Sequence, residues 1–213
     1  MKIRLFLVRH GETIWNKEKR FQGQIDIPLN QQGIIQSKII SKRLAGLTFD
    51  VCYASNLSRA KETAALIAEP HHLPVQECAE LREMNFGLWE GLTLAQIKEN
   101  SGEELSAWWA DPMNVRPPQG ETLSEVVERT TQAVQSIVQQ NQNHNQTGNI
   151  LLVTHGGVIR CLVAKALEMS FKQYWRIRQD NVALSIIEYY QDDKAVLTLL
   201  NDCSHLSPIP MED

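Results

Sequence analysis

The chain has 213 residues, 43% of them hydrophobic and 22% charged, which is the composition of a globular protein large enough to bury its own core. Its formal net charge is −4, so the composition offers no excess of Lys and Arg of the kind that draws a protein to nucleic acid or to an anionic membrane. The stretch Met1 to Val8 is too short for a signal-peptide core, and no run reaches the roughly 18 apolar residues of a membrane span; a cytoplasmic protein is expected.

Six apolar runs read as strands: Ile3 to Val8, Phe49 to Tyr53, Leu73 to Cys78, Asn149 to Thr154, Val182 to Tyr190 and Ala195 to Leu200. They are mostly continuous rather than alternating, the mark of strands covered on both faces. Helical patterns lie between them, over Gln31 to Ala45 (with Asn30 as N-cap), Leu57 to Ala68, Thr122 to Gln140 and Gly156 to Leu167. Strands alternating with helices predict an α/β three-layer sandwich: a mostly parallel central sheet with helices on both faces. The tetrapeptide Gln191-Asp192-Asp193-Lys194 is turn-like and should join the last two runs as a hairpin, adding an antiparallel edge strand.

Residues 86 to 120 break the alternation. They carry Trp89, Trp108, Trp109, Pro112, Pro117 and Pro118, and are expected to form a lid-like insertion within a single domain spanning 1–213. Gln139 to Gly148 is polar and reads as a mobile loop. The four cysteines, Cys52, Cys78, Cys161 and Cys203, show no C-x-x-C spacing and read as reduced thiols, with Cys52 and Cys78 on buried strands.

Charged and polar residues cluster where these runs end. Arg9-His10 ends the first run, Ser55 and Arg59 follow the second, Arg82 and Glu83 the third, and His155 the fourth, just before Gly156-Gly157. In an open parallel sheet the carboxyl ends of the strands share one edge, and ligands bind there. Each residue alone has a plainer reading: a structural His, an Arg covering a helix, a solvated Glu. Together they suit a phosphoryl group. Arg presents a planar fork of donors, helix N-termini add N–H groups, a neutral imidazole can become covalently phosphorylated, and a carboxyl can protonate a leaving oxygen.

The motifs also resemble a known family. Leu7-Val8-Arg9-His10-Gly11-Glu12-Thr13 is similar to the signature of the histidine phosphatase superfamily, in its phosphoglycerate-mutase-like branch. Phe21 to Leu29, Tyr53 to Thr63, Leu81 to Gly91, Gly120-Glu121-Thr122 and Val153 to Gly157 resemble that branch's later motifs in the same order. The resemblance implies that His10 is the nucleophile, that Arg9, Arg59 and His155 bind phosphoryl oxygens, and that Glu83 is the general acid and then the base. It places Asn16, Gln22, Gly23 and Gly156 beside the substrate, and implies neither metal nor other cofactor. His71, His72 and His144 match no motif and are taken as surface residues.

Family mutases usually carry a longer, basic insertion after the acid residue. The short stretch from Glu83 to Gly120 instead resembles the short phosphatase type, which includes α-ribazole phosphatases and broad-specificity phosphatases. The expected function is therefore metal-independent hydrolysis of a small phosphomonoester, a phosphorylated metabolite. The alternatives are a cofactor-dependent phosphoglycerate mutase, a phosphoserine phosphatase, in which a late His such as His205 helps hold the substrate, and, more remotely, a non-catalytic protein that binds a phosphate ligand. The sequence leaves a homodimer open.

Overall fold

The computed structural model describes residues 2–141, 148–190 and 194–206. Strand β1 (Lys2–Arg9) shows why its apolar run does not alternate. Ile3, Leu5 and Leu7 enter one hydrophobic cluster, while Phe6 and Val8 enter a second on the opposite face. Strands β2 (Val51–Ser55) and β4 (Gly148–Thr154) are divided in the same way: Val51, Tyr53, Ile150 and Leu152 go to the first cluster and Cys52, Ala54, Leu151 and Val153 to the second. Successive side chains of a strand point to opposite faces, so a strand with two dry faces must be apolar throughout.

With β3 (Val75–Cys78), β5 (Leu184–Tyr190) and β6 (Ala195–Asp202), these strands form one six-stranded sheet in the order β3-β2-β4-β1-β5-β6. The first four are parallel. β5 runs antiparallel to β1, and β6 antiparallel to β5, as the hairpin reading required; the turn itself, residues 191–193, lies outside the described residues. Burial along β6 alternates because it is the edge strand, and its outward side chains, Val196 and Leu200 among them, are exposed.

Two helices cover each face. Apolar residues of α6 (Leu123–Asn141) and α7 (Gly156–Ala166) complete the first cluster. Ile40 and Leu44 of α2 (Gln31–Leu44), with Ala60, Ala64, Ile67 and Ala68 of α3 (Ser58–Ala68), complete the second. Asn30 caps α2 by accepting from Gly33 N at 2.8 Å. The three-layer architecture is thus the expected one. A short helix, α1 (Ile14–Lys17), was not anticipated; it is started by a capping box between Thr13 and Asn16.

Residues 86–120 hold a 3₁₀ turn (Gly87–Trp89) and two short helices, α4 (Leu94–Asn100) and α5 (Gly102–Ala110). Trp89 and Trp108 are fully buried in the first cluster, edge to face with centroids 5.5 Å apart, whereas Trp109 is exposed. Hydrogen bonds from Leu88 N to Pro118 O and from Glu121 N to Asn85 O, both 2.9 Å, join the two ends of this stretch.

Cys52 and Cys161 are buried, and burial pushes the Cys52 thiol up to about 12 and the Cys161 thiol up as well. Cys78 departs from expectation: it is only half-buried, because β3 is the other edge of the sheet. Burial and the nearby Glu80 still raise its thiol to about 11. His72 is exposed, His71 is partly covered and packs edge-on against Phe49, and His144 falls outside the described residues, as does most of the polar loop of 139–148. Among the described residues no helix is long and apolar enough to cross a membrane.

Candidate active site

The parallel register sets the site. β1 and β4 pair through Arg9 and Thr154, and His10 N donates to Thr154 O at 2.9 Å, so His10 and His155 leave adjacent strands side by side. Their rings lie 5.1 Å apart, centroid to centroid, and both are buried. His10 Nδ1 is 2.7 Å from Gly11 O. A carbonyl only accepts, so Nδ1 carries the hydrogen and Nε2 the lone pair. Burial, then the charges of Arg59 and Arg9, hold the His10 pKa well below 6.5, against the Gly11 hydrogen bond, which raises it. His10 therefore presents a neutral, basic Nε2 at neutral pH.

His155 is the N-cap residue of α7. Its Nε2 lies 2.8 Å from Ser55 Oγ at the end of β2. That oxygen also accepts from Leu57 N at 3.4 Å; when its hydroxyl hydrogen is given to His155 Nε2, the ring is neutral with its own hydrogen on the other nitrogen. The hydrogen on His155 is then at Nδ1, which is buried without a protein partner. Burial, then Arg59, His10 and Arg9, lower the pKa of this imidazole as well.

Two arginines supply the charge. Arg9 donates from Nη1 to Gln179 O at 2.7 Å, and its side chain lies against Gly156, where an added Cβ would meet Nε at 3.4 Å. Arg59, in the first turn of α3, is fully buried; it donates from Nη2 to Gly23 O at 2.7 Å and from Nη1 to Ile25 O at 2.9 Å. Gly23 has φ +53, and a Cβ there would overlap the Glu90 carboxylate, so glycine suits this turn twice over. Arg9 Nε and Arg59 Nε, like His155 Nδ1, are buried donors without a protein acceptor. Buried donors are seldom left unpaired, and these belong to side chains that neighbour His10, the two arginines through their charge and His155 through its ring.

Glu83 comes from irregular backbone beyond β3. Its carboxylate accepts from Met84 N at 2.9 Å and from Gly157 N, in the first turn of α7, at 3.1 Å. A Cβ on Gly157 would overlap this carboxylate. The negative charge of Glu83 raises the pKa of both Arg9 and Arg59, against the lowering by burial.

Gln22 is buried and accepts at Oε1 from Thr13 Oγ1 at 2.9 Å. Asn16 Oδ1 accepts from Thr13 N at 3.1 Å and from Asn181 Nδ2 at 3.3 Å. Asn181 Nδ2 also donates to His10 O at 3.0 Å and belongs to the loop before β5. Neither Asn181 nor the Ser55–His155 pairing was part of the site expected from sequence. His205 Nδ1 is 2.9 Å from Arg43 Nη1, in a group with Asp202 and Ser204. Among the described residues no group of His, Cys, Asp and Glu is placed to hold a metal ion.

This geometry coincides with a family match. Residues 5–202 match the model of the histidine phosphatase superfamily (branch 1). The chain belongs to that superfamily. It is 34% identical to the adenosylcobalamin/alpha-ribazole phosphatase of Escherichia coli (strain K12), over 93% of this chain and 96% of that protein. It is 30% identical to a probable phosphoglycerate mutase GpmB of Erwinia tasmaniensis, over 99% of this chain and 98% of the relative. Among solved structures, Bacillus stearothermophilus YhfR superimposes with a TM-score of 0.88 at 32% identity, covering 96% of this chain and all of that one. The superfamily thus contains both phosphatase and mutase relatives of this chain at similar identity.

Proposed function

We propose that this histidine phosphatase superfamily member is a metal-independent phosphatase that hydrolyses a small phosphomonoester through a phosphohistidine on His10. The observation that carries this reading is the set of buried groups without a protein partner, Arg9 Nε, Arg59 Nε and His155 Nδ1, on side chains that neighbour an imidazole whose Nδ1 is tied to a carbonyl. Fixed donors in a dry pocket stabilise transferred phosphoryl charge most where they need no rearrangement.

In the first step His10 Nε2 attacks phosphorus, the phosphorus–oxygen ester bond breaks, and protonated Glu83 gives its proton to the departing oxygen. In the second, the Glu83 carboxylate takes a proton from water, the water oxygen bonds to phosphorus, and the phosphorus–nitrogen bond breaks. Inorganic phosphate leaves, and His10 and Glu83 return to their starting forms. Gln22 and Gly23 shape the mouth of the pocket, Asn16 and Gly156 line it, and residues 86–120 act as a wall over the leaving group. A cytoplasmic setting, with a phosphorylated metabolite as substrate, belongs to the same reading.

His10→Ala should abolish both turnover of p-nitrophenyl phosphate and acid-labile labelling by substrate phosphate, and wild-type turnover should survive chelation. A His10→Ala enzyme with normal turnover would sink the mechanism. Mutase relatives at 30% identity make phosphoryl return to a sugar acid the second reading. Isomerisation of phosphoglycerate that depends on added 2,3-bisphosphoglycerate would establish it; release of inorganic phosphate favours hydrolysis. Phosphoserine belongs in the same substrate panel. A protein that bound phosphate with no turnover at all would be the non-catalytic alternative.

A further inference from the structure

The segment that carries Glu83 has little regular structure of its own. β3 ends at Cys78, a single 3₁₀ turn covers Ala79–Leu81, and the backbone from Arg82 to Phe86 joins neither helix nor strand. The Glu83 carboxylate must nonetheless sit at a fixed place, because proton transfer demands hydrogen-bond reach to the leaving oxygen.

A single side chain from α6 holds this backbone. Arg129 Nη1 donates to Arg82 O at 2.8 Å and to Glu80 O at 2.5 Å, and Nη2 donates to Glu83 O at 3.0 Å. Nε and Nη2 also reach Glu121 Oε1 and Oε2, each at 2.9 Å, a bidentate pair. Every N–H of the guanidinium is thereby used, and the paired Glu121 fixes the plane of the fork. The same Glu121 Oε2 accepts from Asn85 N at 2.8 Å and from Gln24 Nε2 at 3.4 Å. Gln24 Nε2 in turn donates to Glu83 O at 3.1 Å. Gln24 lies between Gly23 and Ile25, the two residues whose carbonyls accept from Arg59.

We infer that Arg129, oriented by Glu121, is a positioning residue for the proton transfer by Glu83, and that through Gln24 it keeps the acid segment in register with the Arg59 loop. It touches no reacting atom. An ammonium on a flexible stem cannot reproduce a planar fork that meets three carbonyls and a carboxylate at once. The inference rests on the phosphatase reading of His10 and Glu83.

The test compares Arg129→Lys with wild type on p-nitrophenyl phosphate, whose leaving group needs little protonation, and on a simple alkyl phosphate, whose leaving group needs it fully. General acid catalysis is worth about 10²–10⁴-fold, so kcat/KM for the alkyl ester should fall at least about tenfold further than for the aryl ester. In a Glu83→Gln background the same substitution should add little to the alkyl loss. Equal losses on both esters, or full additivity with Glu83→Gln, would overturn the inference and mark Arg129 as a fold-stabilising residue only. If Arg129→Lys does not fold, Glu121→Gln, which leaves the three carbonyl bonds but weakens the fork's orientation, should show the same bias toward alkyl loss at smaller size; no bias there would overturn it as well. Turnover that does not depend on His10 would refute the phosphatase reading instead, a distinct result.

Discussion

Ser55 Oγ stands 2.8 Å from His155 Nε2 across the β2–β4 pair, and the other ring nitrogen, Nδ1, is buried without a protein partner. The two ring nitrogens of a histidine are distinguished by what the other one bonds. Ser55→Ala should therefore lower kcat/KM without abolishing it. Losing one partner of a buried hydrogen bond costs about 1–3 kcal/mol, so a fall of about ten- to a hundredfold is expected, with phosphohistidine still formed. Steady-state kinetics with inorganic phosphate inhibition will check it: an unchanged rate would mean that His155 does not depend on Ser55 for its tautomer.

Acid should weaken the fold through the same pair of imidazoles. In the folded chain burial and the two arginines hold His10 and His155 well below 6.5, while unfolding returns them to about that value. As pH falls through about 6.5 the unfolded chain takes up protons that the folded chain refuses, so this stability is complete above that pH and is lost progressively below it. Each histidine contributes a slope of about 1.4 kcal/mol per pH unit within that window. The melting temperature should drop between pH 7.5 and 5.5. Turnover should persist below 6.5, because His10 keeps its lone pair there. A flat melting temperature across that range would contradict the burial of two neutral imidazoles.

Gly23→Ala tests the loop that Arg59 clasps. A Cβ at φ +53 costs about 1–2 kcal/mol, and here it also overlaps Glu90, whose carboxylate accepts from Gln24 N, Ile25 N and Phe86 N. Denaturant unfolding should show a loss of at least that size, and affinity for inorganic phosphate should fall because Gly23 O no longer steadies Arg59. A variant with native stability and native phosphate affinity would show that the clasp is not needed.

Asn181→Ala removes donors to His10 O and Asn16 Oδ1. These bonds hold backbone and neighbour rather than substrate, so a moderate fall in kcat, about tenfold or less, is expected. A complete loss of activity in a folded variant would mean that Asn181 reaches the substrate itself.

The architecture was legible because the central residues of β1, β2 and β4 divide between two apolar layers, and runs of hydrophobic residues record that directly. His10 and His155 were legible for a related reason: they sit immediately beyond strand ends, and Arg59 follows β2 in the first turn of α3, where chain order and spatial order agree. What sequence did not disclose are bonds between distant segments. Ser55 meets His155, and Arg129 meets the acid segment, only because sheet register and helix packing bring them together, and local pattern carries no record of either. Asn181 lies outside that pattern because it precedes β5, a strand antiparallel to the direction shared by β1 to β4, which delivers its leading loop, not its trailing one, to the site.

The protonated thiols carry a last consequence. Cys52, Cys78, Cys161 and Cys203 all have pKa values raised by burial, so hardly any thiolate exists at neutral pH. The thiolate is the form that peroxide and alkylating agents attack. Under the proposed mechanism the phosphoryl group rests on an imidazole nitrogen and not on sulfur, so turnover should survive peroxide at levels that inactivate enzymes built on a reactive cysteine.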